Sequence, residues 1–459
     1  MSLSLWLTDR SRYETGVGHC PRARYLGYHA GPHGYGWARK AQSIPTVTGT
    51  LIHQPLADIL GILQREDRLP TDREVHEAIE AACADYAALV ETRGLTAVME
   101  PEGLALRVAE QLTLLAGLVW TWVRVVLPQF HEDWRVLEVE REDVTVLGCT
   151  CGLGDQMGTA EEHDARGCGG LGWMTRGDCL AARRTLPSYA YHDFKSTSQA
   201  SGNWEAGFLH RVQLIAGVLG AERRLGVPID QVYLHALIKG KYESAWDSEQ
   251  KKAVGPKYQN TPLVYGWKRP ANPPLMEEDW GVSYYYVDAA GKNRKRSGYE
   301  RTGIWTLPES VWGGCLSPSD YWTRALAAEG KLTDSYRLIG PIAREDWKLD
   351  GFLRQLQGEE GRWQNALWAL HVLRERGVDW GHPEFMAKLD EVVAQNRGDA
   401  CHSYFGETCP NLPLCDRLDG WAHPETIGFV PRRSHHQPEL DQQIARGLLA
   451  PEDAEEVDA

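Results

Sequence analysis

The sequence has no long apolar run. Its most apolar stretch, Leu112 to Val123, is bounded by Glu110 and Arg124, and falls short of the ~20 residues a bilayer crossing needs. No basic-then-apolar signal segment opens the chain, so the expectation is a cytoplasmic protein without membrane association. No Gly-x-x-x-x-Gly-Lys-Ser/Thr loop is present, which removes the phosphate cradle of an ATPase. There is no dinucleotide fingerprint and no internal repeat. Positive charge is also short: 49 Lys and Arg stand against 63 Asp and Glu, a net charge of −14. In bulk that weighs against a nucleic-acid binder. The local field matters more, however. Glu452, Asp453, Glu455, Glu456 and Asp458 crowd a terminal tail that reads as disordered. Bases gather at Lys239, Lys241, Lys251, Lys252, Lys257, Lys268 and Arg269, and again at Lys292, Arg294, Lys295 and Arg296.

What is present starts with 459 residues, 42% of them hydrophobic, enough for a large core and one to three domains. Residues 1–45 read as irregular. A helix entered through a glycine turn starts at Gly49, and helical patterns follow at 72–93 and 103–127. Trp134 to Leu147 alternates as a strand, with Glu138 and Glu140 on one face. A Gly- and Cys-rich insertion at 148–177 precedes a pair of strands, Asp178 to Arg183 and Tyr189 to Phe194. Next come a helix from Trp204 to Leu225 and a strand from Gln231 to Ile238. Loops and a hairpin fill 240–305, and 317–396 reads as mostly helical. That order predicts a mixed sheet flanked by helices, an α/β or α+β domain.

In the run Tyr189-Ala-Tyr191-His-Asp193-Phe-Lys195, strand alternation puts Asp193 and Lys195 on one face. A carboxylate there can hold a divalent metal, and the lysine can offset charge developing on a phosphorane. With His53, the strand acids and Gln213, the run resembles the PD-(D/E)XK nuclease superfamily. The match is to its RecB-like branch, which includes AddB and the CRISPR-associated iron–sulfur exonucleases. Gly49 and His53 match that branch's Gly-x-x-x-His motif. Asp178 or Asp155 matches the first acid. Asp178, fifteen residues before Asp193, has the spacing of a hairpin and is preferred, which leaves Asp155 in the insertion. Gln213 matches the start of Gln-x-x-x-Tyr, but Gly217 stands where the tyrosine should be. The resemblance implies a restriction-endonuclease-like mixed central sheet. It also implies Mg²⁺ or Mn²⁺ held by Asp178, Asp193, His53 and Glu140, and catalysis by Asp178, Asp193, Lys195, His53 and Gln213.

The chain has ten cysteines and no secretion signal, which favours metal ligation over a disulfide framework. Cys401, Cys409 and Cys415 lie close together in a Pro- and Gly-lined loop, with Cys20 the natural fourth ligand. Four thiolates suit either Fe–S or zinc. The iron–sulfur nucleases have the same layout, one N-terminal and three C-terminal cysteines, so the resemblance implies a 4Fe–4S clasp joining the chain ends. The spacing of Cys409 and Cys415 fits, whereas the gap from Cys401 to Cys409 exceeds that family's usual Cys-x2-Cys. Separately, Cys149, Cys151, His163 and Cys168 offer the ligands of a Cys₃His zinc site, and nearby glycines permit its tight turns. Cys179 is a less suitable substitute ligand.

For nucleic acid, Tyr284 to Tyr286, the basic tip Lys292, Arg294, Lys295 and Arg296, and Tyr299 could stack on bases and neutralise phosphates. Lys239 and Lys241 have a similar claim, and Arg22 and Arg24 a weaker one. The expected organisation is an N-terminal cysteine segment (1–48), a nuclease core (49–240), a basic and aromatic region (241–316), a helical region (317–397), a cysteine loop (398–432) and an acidic disordered tail (433–459). The resemblance covers roughly 15–240 and 398–416. It implies a DNA exonuclease acting on single strands or duplex ends, in recombination, repair, phage DNA metabolism or CRISPR adaptation with partner proteins. The rival is a non-catalytic DNA-binding or assembly subunit of the same fold.

Overall fold

The computed structural model describes residues 5–31, 34–39, 44–92, 115–152 (without 117 and 121), 159–197, 212–238, 336–343, 345–396, 401, 409–416, 424–432, 434 and 436–445. It also describes the short strands 246–247, 252–253, 268–269, 284–287 and 293–296. The centre is a six-stranded mixed sheet. It contains β1 (Trp6–Asp9), β3 (Trp134–Gly148), β4 (Leu171–Arg183), β5 (Tyr189–Thr197), β6 (Gln231–Ile238) and the strand Tyr336–Ala343. β2 (Trp37–Arg39) lies outside it, paired with Phe429–Pro431. β4 runs antiparallel to β3 and β5, whereas β5 and β6 are parallel, joined through helix Val212–Leu225.

β4 positions the site. β3 covers one of its edges along nearly the whole length. The other edge is shared end to end: β1 takes Leu171 to Met174 and β5 takes Cys179 to Ala182. Between them, residues 175–178 have no strand partner on that edge among the described residues, and Asp178 stands in this gap.

Strand alternation sorts the core into two layers. Cys179, Ala181, Ala190, Phe194, Tyr233 and Leu237 pack toward α4 (His53–Glu66), α5 (Asp72–Thr92) and the apolar stretch around Leu118 and Trp122. Leu180, Tyr191, Val232 and Leu234 pack on the other face, against Leu214, Val218 and Ala221 of helix Val212–Leu225. A further core joins α2 (Pro21–Tyr28) to the long helix Asp346–Glu375 and the helix Pro383–Val392. No helix among the described residues is long and apolar enough to cross a membrane.

Several sequence expectations need correction. Residues 1–45 are not irregular, since β1, α1 (Arg10–Gly18) and α2 follow in order. Asp9 caps α1 by accepting the Arg12 N–H at 2.9 Å, and Pro21 opens α2. Their helical pattern is hidden because the buried faces carry Arg12, Arg22 and Arg24. Arg22 and Arg24 are 2% and 0% exposed, so neither is placed to meet a phosphate. Arg22 donates to Asp390 and the Val393 carbonyl, and Arg24 forks onto Glu360. Gly49 is no entry turn, because it lies within α3 (Ile44–Leu51) and a new helix starts at His53. The 148–177 insertion is shorter than expected, as β4 starts at Leu171. The 433–459 segment is not a disordered tail throughout, since Gln437–Ala445 is a helix that buries Glu439 and Leu440. In 317–396, Tyr336–Ala343 is an antiparallel strand beside β6, interrupted by a bulge between Ile339 and Ile342. Its exposed residues and its proline gave no alternating apolar signal.

Candidate metal centre

Three strands and one helix start meet at the gap in β4. His53 is the first residue of α4, and its Nδ1 lies 3.5 Å from Asp178 Oδ1 and 3.6 Å from Glu140 Oε1. The register runs through Val139↔Cys179 and Arg141↔Gly177, so Glu140 and Asp178 stand opposite each other across β3 and β4. All three donors lie within 4.8 Å of one another, close enough for one ion.

Glu140 reaches this position by breaking the strand pattern. Its φ is +44°, in the left-handed region that a side chain adopts at a cost of about 1–3 kcal/mol. Glu138 therefore does not share its surroundings, contrary to the alternation: Glu138 pairs with Arg224, while Glu140 faces His53 and accepts from Arg176 Nε at 2.7 Å.

Asp178 is 7% exposed, and its Oδ2 accepts the Phe194 N–H at 2.7 Å, where the ladder between β4 and β5 ends. Burial alone would raise its pKa. The positive charges of His53 and Lys195 outweigh burial and hold it well below the usual carboxylate range. Asp193, fully buried, is pushed the opposite way, to about 6, by burial and by the Asp178 charge, against the pull of Lys195. Lys195 Nζ lies 3.0 Å from Asp193 Oδ2 and 3.9 Å from Asp178 Oδ2, and donates to the Phe194 carbonyl at 3.0 Å. Burial opposes charge on His53, yet the acids raise its pKa to about 9. The same field that favours a proton on that imidazole favours a divalent cation among the donors.

Sequence reading missed two neighbours. Tyr191 is 3% exposed, on the same strand face as Asp193, and its ring covers Gly217. Burial, followed by the charges of Asp193, Asp178 and Glu140, raises its phenol pKa well above the ordinary value. Its spacing two residues before Asp193 was the available signal. The second is a buried histidine pair on the opposite face. His192 Nδ1 and His235 Nε2 are 3.0 Å apart, and the Tyr336 hydroxyl is 2.8 Å from His235 Nδ1. Desolvation keeps both rings neutral. Gln213 lies on helix Val212–Leu225, but its side chain is outside the described residues, as is Asp155.

The Cys149, Cys151, His163 and Cys168 donors also lie within 4.8 Å of one another. Cys179 stays apart from them, 1% exposed in the core beside α4. Cys20 and Cys409 pack together with Ala23, and the Cys409 N–H donates to the Cys401 carbonyl at 2.9 Å. Gln395 and Asn396 touch three of these four thiols: Asn396 N donates to Cys20 Sγ at 3.4 Å, Cys401 Sγ donates to the Asn396 carbonyl at 3.7 Å, and Gln395 Nε2 donates to Cys415 Sγ at 3.1 Å. Burial, then the neighbouring Cys20 and Cys401, push the Cys409 thiol pKa up.

Of the basic candidates, Arg294, Lys295 and Arg296 lie on strand Asn293–Arg296, which pairs antiparallel with Tyr284–Val287. Their side chains are outside the described residues, as are Lys239, Lys241, Lys292 and Tyr299.

No protein-family model matches the chain, and no curated protein is similar enough to count as a relative. What the site can do therefore rests on its own geometry: among the described residues, two clusters of His, Cys, Asp and Glu that could hold a metal ion, set in a mixed sheet flanked by helices.

Proposed function

We propose that the protein is a metal-dependent DNA nuclease of the PD-(D/E)XK type, acting as an exonuclease on single strands or duplex ends. The observation that carries this reading is the meeting of His53, Glu140 and Asp178 at the open edge of β4, with the Asp193 and Lys195 pair beside them. Carboxylate oxygens with one imidazole suit Mg²⁺ and still more Mn²⁺. Such an ion supplies Lewis acidity toward a phosphodiester and lowers the pKa of water. His53, Glu140 and Asp178 would hold it, with Asp193 completing the set.

The chain's own groups do the rest. Lys195, between two carboxylates, would orient the attacking oxygen and offset charge growing on the phosphorus oxygens. The Phe194 N–H fixes one oxygen of Asp178, leaving Oδ1 toward His53. Arg176 fixes one oxygen of Glu140 in the same way.

The four-cysteine group supports a 4Fe–4S cluster as a structural clasp. Three of its thiols touch Gln395 and Asn396, and four thiolates suit either 4Fe–4S or zinc, the resemblance favouring the cluster. Cys20 and Cys409 would then tie the N-terminal helices to the C-terminal loop.

The test is cleavage of end-labelled DNA with Mn²⁺ by anaerobically purified protein. Wild type should degrade it from free ends, blocked ends should protect it, and Asp193→Ala should be inactive. No cleavage by wild type, or equal cleavage by the variant, returns the non-catalytic subunit, which the glycine at 217 in place of tyrosine would favour.

A further inference from the structure

We infer that Cys149, Cys151, His163 and Cys168 form a structural zinc site that pins the N-terminal strand β1 to the sheet. The donors are already arranged for a single ion. Cys149 Sγ lies 3.4 Å from Cys151 Sγ and from His163 Nδ1, and Cys151 Sγ lies 3.3 Å from that nitrogen. A tetrahedral ion with Zn–S near 2.3 Å sets neighbouring donors about 3.5–3.8 Å apart, so little movement is needed to close around it. Three thiolates and an imidazole favour zinc over a hard cation, and the closed set leaves no position for a substrate.

The surroundings match that role. His163 and Cys168 have no solvent exposure. The Thr150 N–H donates to Cys168 Sγ at 3.3 Å, which steadies negative charge on the sulfur. Helix Ala160–Ala165 presents His163 and starts in a capping box formed by Thr159 and Glu162. A β-carbon at Gly170 would lie 1.7 Å from the Gly148 carbonyl oxygen, so only glycine lets the ends of β3 and β4 approach this closely.

The knuckle holds β1 directly. Leu5 N–H donates to Asp164 Oδ1 at 3.0 Å, and Trp6 N–H donates to the Gly170 carbonyl at 2.8 Å. Leu5 and Leu7 pack against Cys168, with Cys149 and Cys151 beside them. β1 in turn occupies the part of β4 next to the gap that holds Asp178. This inference is independent of what the gap catalyses.

The test measures metal content and backbone protection on the full chain. Wild type should carry one zinc that survives replacement of Cys401 and Cys409 but is lost in Cys149→Ser/Cys168→Ser. His163→Cys, which keeps four donors, should retain zinc, and this guards against reading a misfolded variant as a lost site. Cobalt substitution of wild type should give the visible bands of a tetrahedral thiolate site. Amide exchange at residues 5–9 should speed up at least tenfold when the zinc is removed. Zinc content unaffected by Cys149→Ser/Cys168→Ser, or no zinc bound after reconstitution, overturns the site. Unchanged exchange at residues 5–9 overturns its role in holding β1.

Discussion

The ring of Tyr191 lies across the backbone of Gly217, with its Cζ 2.7 Å and its hydroxyl oxygen 2.8 Å from where a β-carbon at 217 would stand. A strand residue two positions before Asp193 therefore fills the space that any side chain at 217 would need. Gly217→Ala should cost about 1–3 kcal/mol, because Tyr191 is 3% exposed and has nowhere to withdraw. Denaturant unfolding checks this. In a Tyr191→Leu background the same change should cost distinctly less, and equal costs in both backgrounds would show that the two positions do not compete.

The metal donors make a second prediction, independent of substrate. Mn²⁺ titration should show affinity falling by at least about 10–100-fold in Asp178→Asn and in His53→Ala, the range already seen when only an outer partner of a ligand is lost. Lys195→Ala should retain or strengthen metal binding, since it removes a cation 3.9 Å from Asp178, and on the proposed nuclease reading it should also abolish cleavage. Weaker Mn²⁺ binding in Lys195→Ala would assign that lysine a structural role.

Arg24 and Glu360 form a forked pair at 2.8 and 2.6 Å, with side chains 0% and 1% exposed. Trp6 Nε1 also donates to Glu360, at 2.9 Å. Glu360→Ala leaves a buried guanidinium uncompensated and should destabilise by about 3–5 kcal/mol. The double change Arg24→Met/Glu360→Leu should recover most of that loss. Thermal melts of the three variants test both halves.

Glu439 gives the acid response a sign. Burial would raise its pKa, but Arg12 outweighs burial and holds it below the ordinary 4.5. As the pH falls, the unfolded chain takes up a proton at this residue before the folded one does. Its stabilisation is therefore complete above the ordinary value and is lost as the pH passes through the lower, folded value. Glu439→Gln should flatten the fall in stability below pH 4.5 and leave the slope near neutrality unchanged. An identical acid profile would remove Glu439 from the account.

The local content of the sequence reached far into the core. β6 spans Gln231–Ile238 as the apolar run required, and β3 lies where the alternation placed it. Hairpin spacing pointed to Asp178, and the structure brings it to within 3.9 Å of Lys195, while Asp155 lies outside the described residues. The His, Cys and Gly pattern of the 149–168 cluster was also legible, because its candidate donors are close in sequence and its turns are set by local backbone freedom.

Other features depended on distant parts of the chain. Arg12, Arg22 and Arg24 gave the N-terminal helices a polar pattern, and Glu439, Asp390 and Glu360, hundreds of residues away, supply the opposite charges against which they are buried. The pairing of Tyr336–Ala343 with β6 is equally long-range and carries little apolar signal. The left-handed turn at Glu140, which redirects its carboxylate from the side of Glu138 toward His53, is a single-residue departure that periodicity does not encode. The sequence by itself determined which residue types could hold metal and on which elements they lie, since period and spacing are local properties. Only the tertiary structure decided which donors meet, because that depends on how β1 and β5 divide one edge of β4 and leave Asp178 in the gap.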